Sequence, residues 1–206
     1  MTTDLAQRYW TTEWQNGDPG MPLAKAEPWV IEHAATLAPG SRTLDLCVGI
    51  GRHARAFAAI VHRVAAPDVA KASVTAILDA ASKHGLTIGA HQAPMTDLPK
   101  AHASFDQLLS RNLPYHGQRR IVRHRFDEVA RVTRPNGGFR ATMLSARCPP
   151  VKQTKAKAKA RDISRDTWVF DGPGDKVLPH YFCSAPDPLA LMRGFWHWHN
   201  LARWPA

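Results

Sequence analysis

The run Thr43-Leu44-Asp45-Leu46-Cys47-Val48-Gly49-Ile50-Gly51-Arg52-His53 sets a carboxylate and two glycines, spaced by one residue, between an apolar run and a helix-forming run. Glycines at such a turn let a ligand's polar skeleton approach the backbone with no Cβ in the way. The helix that follows offers unpaired N–H groups at its start. A carboxylate at the end of the apolar run favours a cationic ligand group. An adenosine-bearing cofactor with a positive charge suits this set better than a dinucleotide with a bridging pyrophosphate. Gly49 to Ala54 also spells G-x-G-x-x-A, the dinucleotide fingerprint, a short pattern of low specificity. A second acidic signal sharpens it. Asp68 follows the apolar run Arg63-Val64-Ala65-Ala66, 17 positions after Gly51, where a carboxylate takes ribose hydroxyls in either cofactor class.

Other chemistry-bearing residues are less specific. Tyr115-His116 follow the run 105–110, and a histidine there titrates near neutrality and is a candidate base for an acceptor's proton. A loop histidine without catalytic duty is the other reading. His180-Tyr181-Phe182-Cys183 and His197-Trp198-His199 lack the spacing of a zinc finger, so no metal is expected. Cys47, Cys148 and Cys183 are odd in number and far apart, which points to free thiols in a reducing, cytoplasmic setting. Tyr9, Trp10, Trp14 and Trp29 form an aromatic N-terminal set, suited to a lid over the cofactor or to a helix packed on the sheet.

The elements that must position these groups alternate in type. Helical spacing marks 28–37, with Pro at its first turn. A strand over 42–46, a helix over 52–61, a strand over 63–66 and a helix over 70–84 follow, then strands over 86–91 and 105–110. A helix near 121–132 ends at Pro135-Asn136-Gly137-Gly138, and a fifth strand runs over 139–144. Such alternation implies an α/β, doubly wound, mostly parallel sheet with helices on both faces. Ligands of that architecture bind beyond the carboxyl ends of the strands, where Asp45, Asp68, Asp97 and Asn112 fall.

The chain has 206 residues, 44% of them hydrophobic and 21% charged, with a net charge of +10. These values suit one soluble domain. No stretch approaches the roughly 20 apolar residues of a membrane span, and Met1 to Leu5 has no signal-peptide character. Part of the positive excess is local. Lys152, Lys155, Lys157, Lys159 and Arg161 alternate with small and polar residues, either as a solvated loop or as a clamp for an acidic substrate or RNA. No aromatic-rich RNA-binding strand accompanies them, so a nucleic-acid partner is not expected. Nothing in the sequence points to an oligomeric state.

With these elements in place, residues 42–145 resemble the class I S-adenosylmethionine-dependent methyltransferases, especially small bacterial ones of the tellurite-resistance type. Leu44 to Gly51 is similar to the family's L-D-L-G-C-G-x-G motif, and Asp68 to its acidic residue after the second strand. Thr96-Asp97-Leu98-Pro99 and Ser104-Phe105-Asp106 are similar to its D-L-P and S-F-D segments. Glu128 to Gly138 is similar to its E-x-x-R-V-L-x-P-G-G turn. The resemblance implies a seven-stranded sheet with an antiparallel last strand, S-adenosylmethionine as cofactor, and in-line methyl transfer to a small-molecule acceptor. Gly49 and Gly51 would pass the cofactor's methionine part and Asp45 would support its amino group. Asp68 would take the ribose, Val69, Met95 and Thr96 would border the adenine, and Asn112 would lie near the sulfonium. The resemblance divides the single domain into an N-terminal helical lid (1–41), a cofactor-binding core (42–145) and a substrate-side cap with a shortened C-terminal strand region (146–206). The basic residues of that cap, with Arg147, suggest an anionic acceptor.

The chain departs from the motifs at Cys47, where the family has glycine, at Pro67 before Asp68, and at Pro94, where an acidic adenine contact is common. A left-handed backbone at Cys47 would be strained. These departures motivate an alternative, a methyltransferase-like binding module that has lost catalysis. A nicotinamide-dependent oxidoreductase is the further alternative.

Overall fold

The computed structural model describes residues 2–16, 25–61, 63–112, 115–146, 160–170, 174–184 and 190–191. Helix α1 spans Thr2–Asn16 and α2 spans Pro28–Ala35. The core then alternates: β1 Arg42–Asp45, α3 Arg52–Val61, β2 Arg63–Asp68, α4 Lys71–Lys83, β3 Ile88–Gln92, β4 Phe105–Ser110, α5 Arg119–Val132 and β5 Thr133–Ala141. The five strands form a parallel sheet in the order β3-β2-β1-β4-β5. The doubly wound α/β architecture is therefore present. Chain order reverses between β1 and β4, so a crevice opens between the ends of these two strands.

Apolar side chains on both faces hold the sheet between helices. Val30, Ala34, Phe57, Ala58, Ile77 and Ala81 of α2, α3 and α4 pack with Val64, Ala66 and Leu109. On the other face Val129 and Val132 of α5 pack with Leu44, Leu46, Leu98, Phe105 and Leu108. Phe57 and Phe126 are both essentially fully buried, and each contributes roughly 1.5–3 kcal/mol by leaving water. Thr43, Leu44 and Asp45 of β1 are all buried, as a strand covered on both faces requires.

The fifth strand begins at Thr133 rather than Phe139. Its pairing with β4 shifts register between Phe105 and Gln107, and Asn136 adopts φ 63°. The Pro-Asn-Gly-Gly segment is thus an irregularity absorbed within a strand rather than a turn before one. Beyond β5 a second sheet appears. Strands β6 Leu144–Ser145, β7 Ala160–Ser164, β8 Thr167–Phe170 and β9 His180–Cys183 pair in the order β6-β9-β8-β7. The segment expected only as a cap is therefore partly a sheet. Tyr181 and Cys183 of β9 pack on Val122 and Phe126 of α5, which fastens this sheet to the core. The lysines from 152 to 159, Arg147, Cys148, His197 and His199 lie outside the described residues, as does the expected C-terminal strand. Among the described residues no helix is long and apolar enough to cross a membrane.

Candidate active site

The strand ends around the crevice shape a cleft of about 250 Å³. Asp45 closes β1, and the chain then turns sharply. Leu46 N–H donates to the Leu109 carbonyl at 2.8 Å, Cys47 N–H to the Pro67 carbonyl at 3.0 Å, and Gly51 N–H to the Val48 carbonyl at 2.9 Å. Cys47 adopts φ 57° and Gly49 φ 53°. Cys47 thus meets the condition under which strain is expected, a left-handed backbone, at a cost of roughly 1–2 kcal/mol for an L-residue. Asp68, ending β2, accepts the Gly49 N–H at 3.1 Å and the Ala70 N–H at 2.8 Å. One carboxylate thus pins the glycine turn to the neighbouring strand end.

The two carboxylates differ in electrostatics. Burial raises the Asp45 pKa to about 7; the Ala54 N–H and the Arg52 charge oppose that rise, while Asp68 adds to it. Its Oδ2 is buried without a hydrogen-bond partner. Burial also raises Asp68, against the pull of the Ala70 and Gly49 N–H groups. A buried, unmatched carboxylate oxygen in a cleft is costly alone and fits a cationic ligand group. A bridging pyrophosphate there would face two carboxylates, which disfavours a dinucleotide.

Of the residues expected at the site, Asp45, Gly49, Asp68, Val69, Met95, Thr96, Asn112, Tyr115 and His116 line this one cleft, together with Cys47 and Pro94. Gly51 does not. A Cβ there would lie 2.8 Å from Ile77 Cγ1, so Gly51 seats the turn against α4. Trp10 and Trp14 of α1 line the cleft, and Trp14 Cζ2 lies 2.8 Å from where a Cβ on Gly49 would stand. Their rings stack at 6.0 Å. Trp29 behaves differently: it packs against the helix-side core and donates to Glu27 at 2.6 Å.

His116 and Tyr115 are both buried. Burial, then the neighbouring His180, pulls His116 well below its ordinary pKa, and burial pushes the Tyr115 hydroxyl up. Both shifts favour the uncharged forms of these side chains. Several lining residues carried no sequence signal: Arg52, His53, Arg111, Arg125 and Asp175. Glu27 receives Arg52 at 3.1 Å and Arg111 at 2.7 Å, so it orients both guanidinium groups. Arg125 of α5 donates to the His116 carbonyl. Its place on the helix, one turn from the buried Val122 and Val129, sets it on the inward face of α5, but it belongs to no motif that marks it as a site residue.

The doubly wound α/β fold is one that solved methyltransferases share. Residues 43–137 match a family model described as a methyltransferase domain. Among solved structures, the YcgJ protein of Bacillus subtilis is 26% identical, with a TM-score of 0.55 over 62% of this chain and 54% of its own. The chain thus spans little more than half of that protein's length. The 1,6-didemethyltoxoflavin-N1-methyltransferase of Burkholderia thailandensis, solved with bound 1,6-didemethyltoxoflavin and S-adenosylhomocysteine, is 17% identical with a TM-score of 0.66, over 94% of this chain and 78% of its own. A Pyrococcus horikoshii protein reaches a TM-score of 0.65 at 14% identity, over 84% and 86% of the two chains. No curated protein matches the chain.

Proposed function

We propose that the protein is a cytoplasmic S-adenosylmethionine-dependent methyltransferase acting on a small-molecule acceptor. The observation that carries this reading is the unmatched Asp45 Oδ2 at the floor of the glycine-turn cleft. Asp45 would hold the cofactor's ammonium, Asp68 its ribose, and Val69, Met95 and Thr96 its base. The bound cofactor would supply an electrophilic methyl group. Trp10 and Trp14 would exclude water as a lid, and Tyr115, His116 and Asn112 would wall the acceptor and align it. The free thiols Cys47 and Cys183 support a reducing compartment.

Asp45 makes the reading testable by proton linkage. Its folded pKa of about 7 lies above its ordinary value, so an ammonium ligand must displace a proton below that pH. Affinity for S-adenosylhomocysteine should fall roughly tenfold per pH unit as pH drops below 7, and should be flat above it. Calorimetry at pH 6 in buffers of different ionisation enthalpy should register the released proton, and Asp45→Asn should abolish that release. Without ligand, the native state holds a proton that the unfolded chain has already lost. Stability therefore falls as pH rises from about 4 to 7, by at most about 1.4 kcal/mol per unit, and levels off beyond. No binding of S-adenosylhomocysteine by a folded sample at millimolar concentration would remove the reading.

The Trp14 ring over Gly49, with the strained Cys47 beside it, favours a second reading, a binding module with a blocked cofactor cleft. On the methyltransferase reading, Trp14→Ala weakens S-adenosylhomocysteine by about 3- to 10-fold through lost stacking. A gain in affinity, measured by the same calorimetry, would favour the blocked module.

A further inference from the structure

Three side chains from two distant parts of the sequence, His116 and the pair Asp175 and His180, converge beside the cleft. An antiparallel bridge joins His116, in the loop after β4, to His180 at the start of β9. It is made by Gly117 N–H donating to the Pro179 carbonyl at 2.6 Å and Tyr181 N–H to the Tyr115 carbonyl at 2.8 Å. The bridge sets the two imidazole rings 4.5 Å apart. Asp175, in the 3-10 turn Gly174–Val177, places Oδ2 3.5 Å from His180 Nε2 and 3.7 Å from His116 Nε2. Both separations are too long for good hydrogen bonds, and the three ligand-capable atoms lie within 4.8 Å of one another.

The spacing suits a shared cation better than a direct bond. Four donors around zinc, at about 2.0 Å each, sit roughly 3.3 Å from one another. The two carboxylate–imidazole separations are close to that, and the third lies within 4.8 Å. His180 Nδ1 lies 2.7 Å from the Leu178 carbonyl. That contact assigns the proton to Nδ1 and turns the Nε2 lone pair toward Asp175, the arrangement by which a metal-binding histidine is held. His116 is 3% exposed and His180 6%, and the buried Nε2 of His116 has no hydrogen-bond partner. Asp175 and His116 also line the cleft, so a cation among the three would keep a coordination position open to it.

We propose that His116, Asp175 and His180 bind one divalent transition-metal cation of the zinc type. Two imidazoles and one carboxylate with an open position form a set that zinc and iron(II) both accept. The site stands on its own geometry, whereas its role rests on the methyltransferase reading. In that role the cation fixes the acceptor's hydroxyl or thiol and lowers its pKa.

The test uses the full chain, stripped with a chelator and titrated with Zn²⁺ against a chromophoric competitor, then with Co²⁺ followed by visible absorption. One equivalent of Zn²⁺ should bind, and Co²⁺ should develop the intense bands of low coordination number. Asp175→Asn and His180→Ala should each weaken Zn²⁺ by more than about 100-fold and remove the cobalt bands. Asp175 is partly exposed on a short turn, so its asparagine variant keeps the fold even if the β9 variant does not, and circular dichroism checks both. S-adenosylhomocysteine affinity is measured on the same samples. Zinc binding without adenosyl binding upholds the cation site and removes the methyltransferase reading. Adenosyl binding with no stoichiometric zinc, or with zinc that Asp175→Asn leaves unchanged, overturns the cation site alone.

Discussion

An Asp68→Ala variant should bind S-adenosylhomocysteine at least about 100-fold more weakly than the parent. A carboxylate offers about four lone-pair positions, and Asp68 spends two of them on close bonds from the Gly49 and Ala70 N–H groups. The remaining capacity is what a ribose diol would use. Each charge-assisted bond is worth roughly 1.5–3 kcal/mol, and about 1.4 kcal/mol is tenfold in affinity, so two such bonds set the scale. The variant also frees the glycine turn from its anchor, so part of the loss comes from a less ordered Gly49. Asp68→Asn separates the two contributions, because it keeps one acceptor oxygen but removes the charge. It should fall between parent and alanine variant. If calorimetry finds alanine within threefold of the parent, Asp68 serves the turn and not a ligand.

Gly51→Ala should cost about 2–5 kcal/mol of stability with little direct effect on the cleft. Gly51 has φ 76°, and its new methyl would stand 2.8 Å from Ile77 Cγ1. Ile77 has no exposed surface and cannot step aside. The left-handed backbone contributes roughly 1–2 kcal/mol and the overpacked contact roughly 1–3 kcal/mol. A domain of this size loses about 2–4 °C of Tm per kcal/mol, so thermal unfolding should fall by several degrees or more. Gly40 is the control. It has φ 80° but no atom within 4 Å of a Cβ, so Gly40→Ala should show the backbone cost alone. Equal losses at the two positions would mean that the Ile77 contact relaxes freely.

The core was legible because its signals are local. The helix expected over 52–61 is the helix observed, since apolar spacing and the glycine turn both mark it. Asp45 and Asp68 fall at strand ends because acidic residues terminate apolar runs there. The strand starting at Thr133 was not legible, because Pro135 and two glycines suggest a turn while the bulge that absorbs them depends on β4. The β7–β8 hairpin hid for a related reason. It turns on Arg165-Asp166, with Asp166 at φ 57°, where an Asn-Gly or Asp-Gly pair would have announced it. The cluster joins Asp175 and His180, five residues apart in no known ligand motif, to His116, more than fifty residues earlier. It exists only through the backbone bridge between the two sheets, and the doubts raised by histidines near 180 concerned zinc-finger spacing rather than this long-range pairing.

That bridge has a consequence for how the protein could acquire new substrates. The five-stranded sheet carries Asp45, Gly49 and Asp68, while the four-stranded sheet carries His180 and adjoins Asp175. The two are joined by chain continuity after β5, by an apolar patch on α5 and by the His116–His180 pairing. On the proposed methyltransferase reading, an exchange of residues 144–184 for a segment that keeps the apolar contacts with α5 should alter what the cleft accepts while Asp45, Gly49 and Asp68 stay in place. For a protein engineer the His116–His180 pairing and the α5 patch are the contacts that such a graft would have to rebuild.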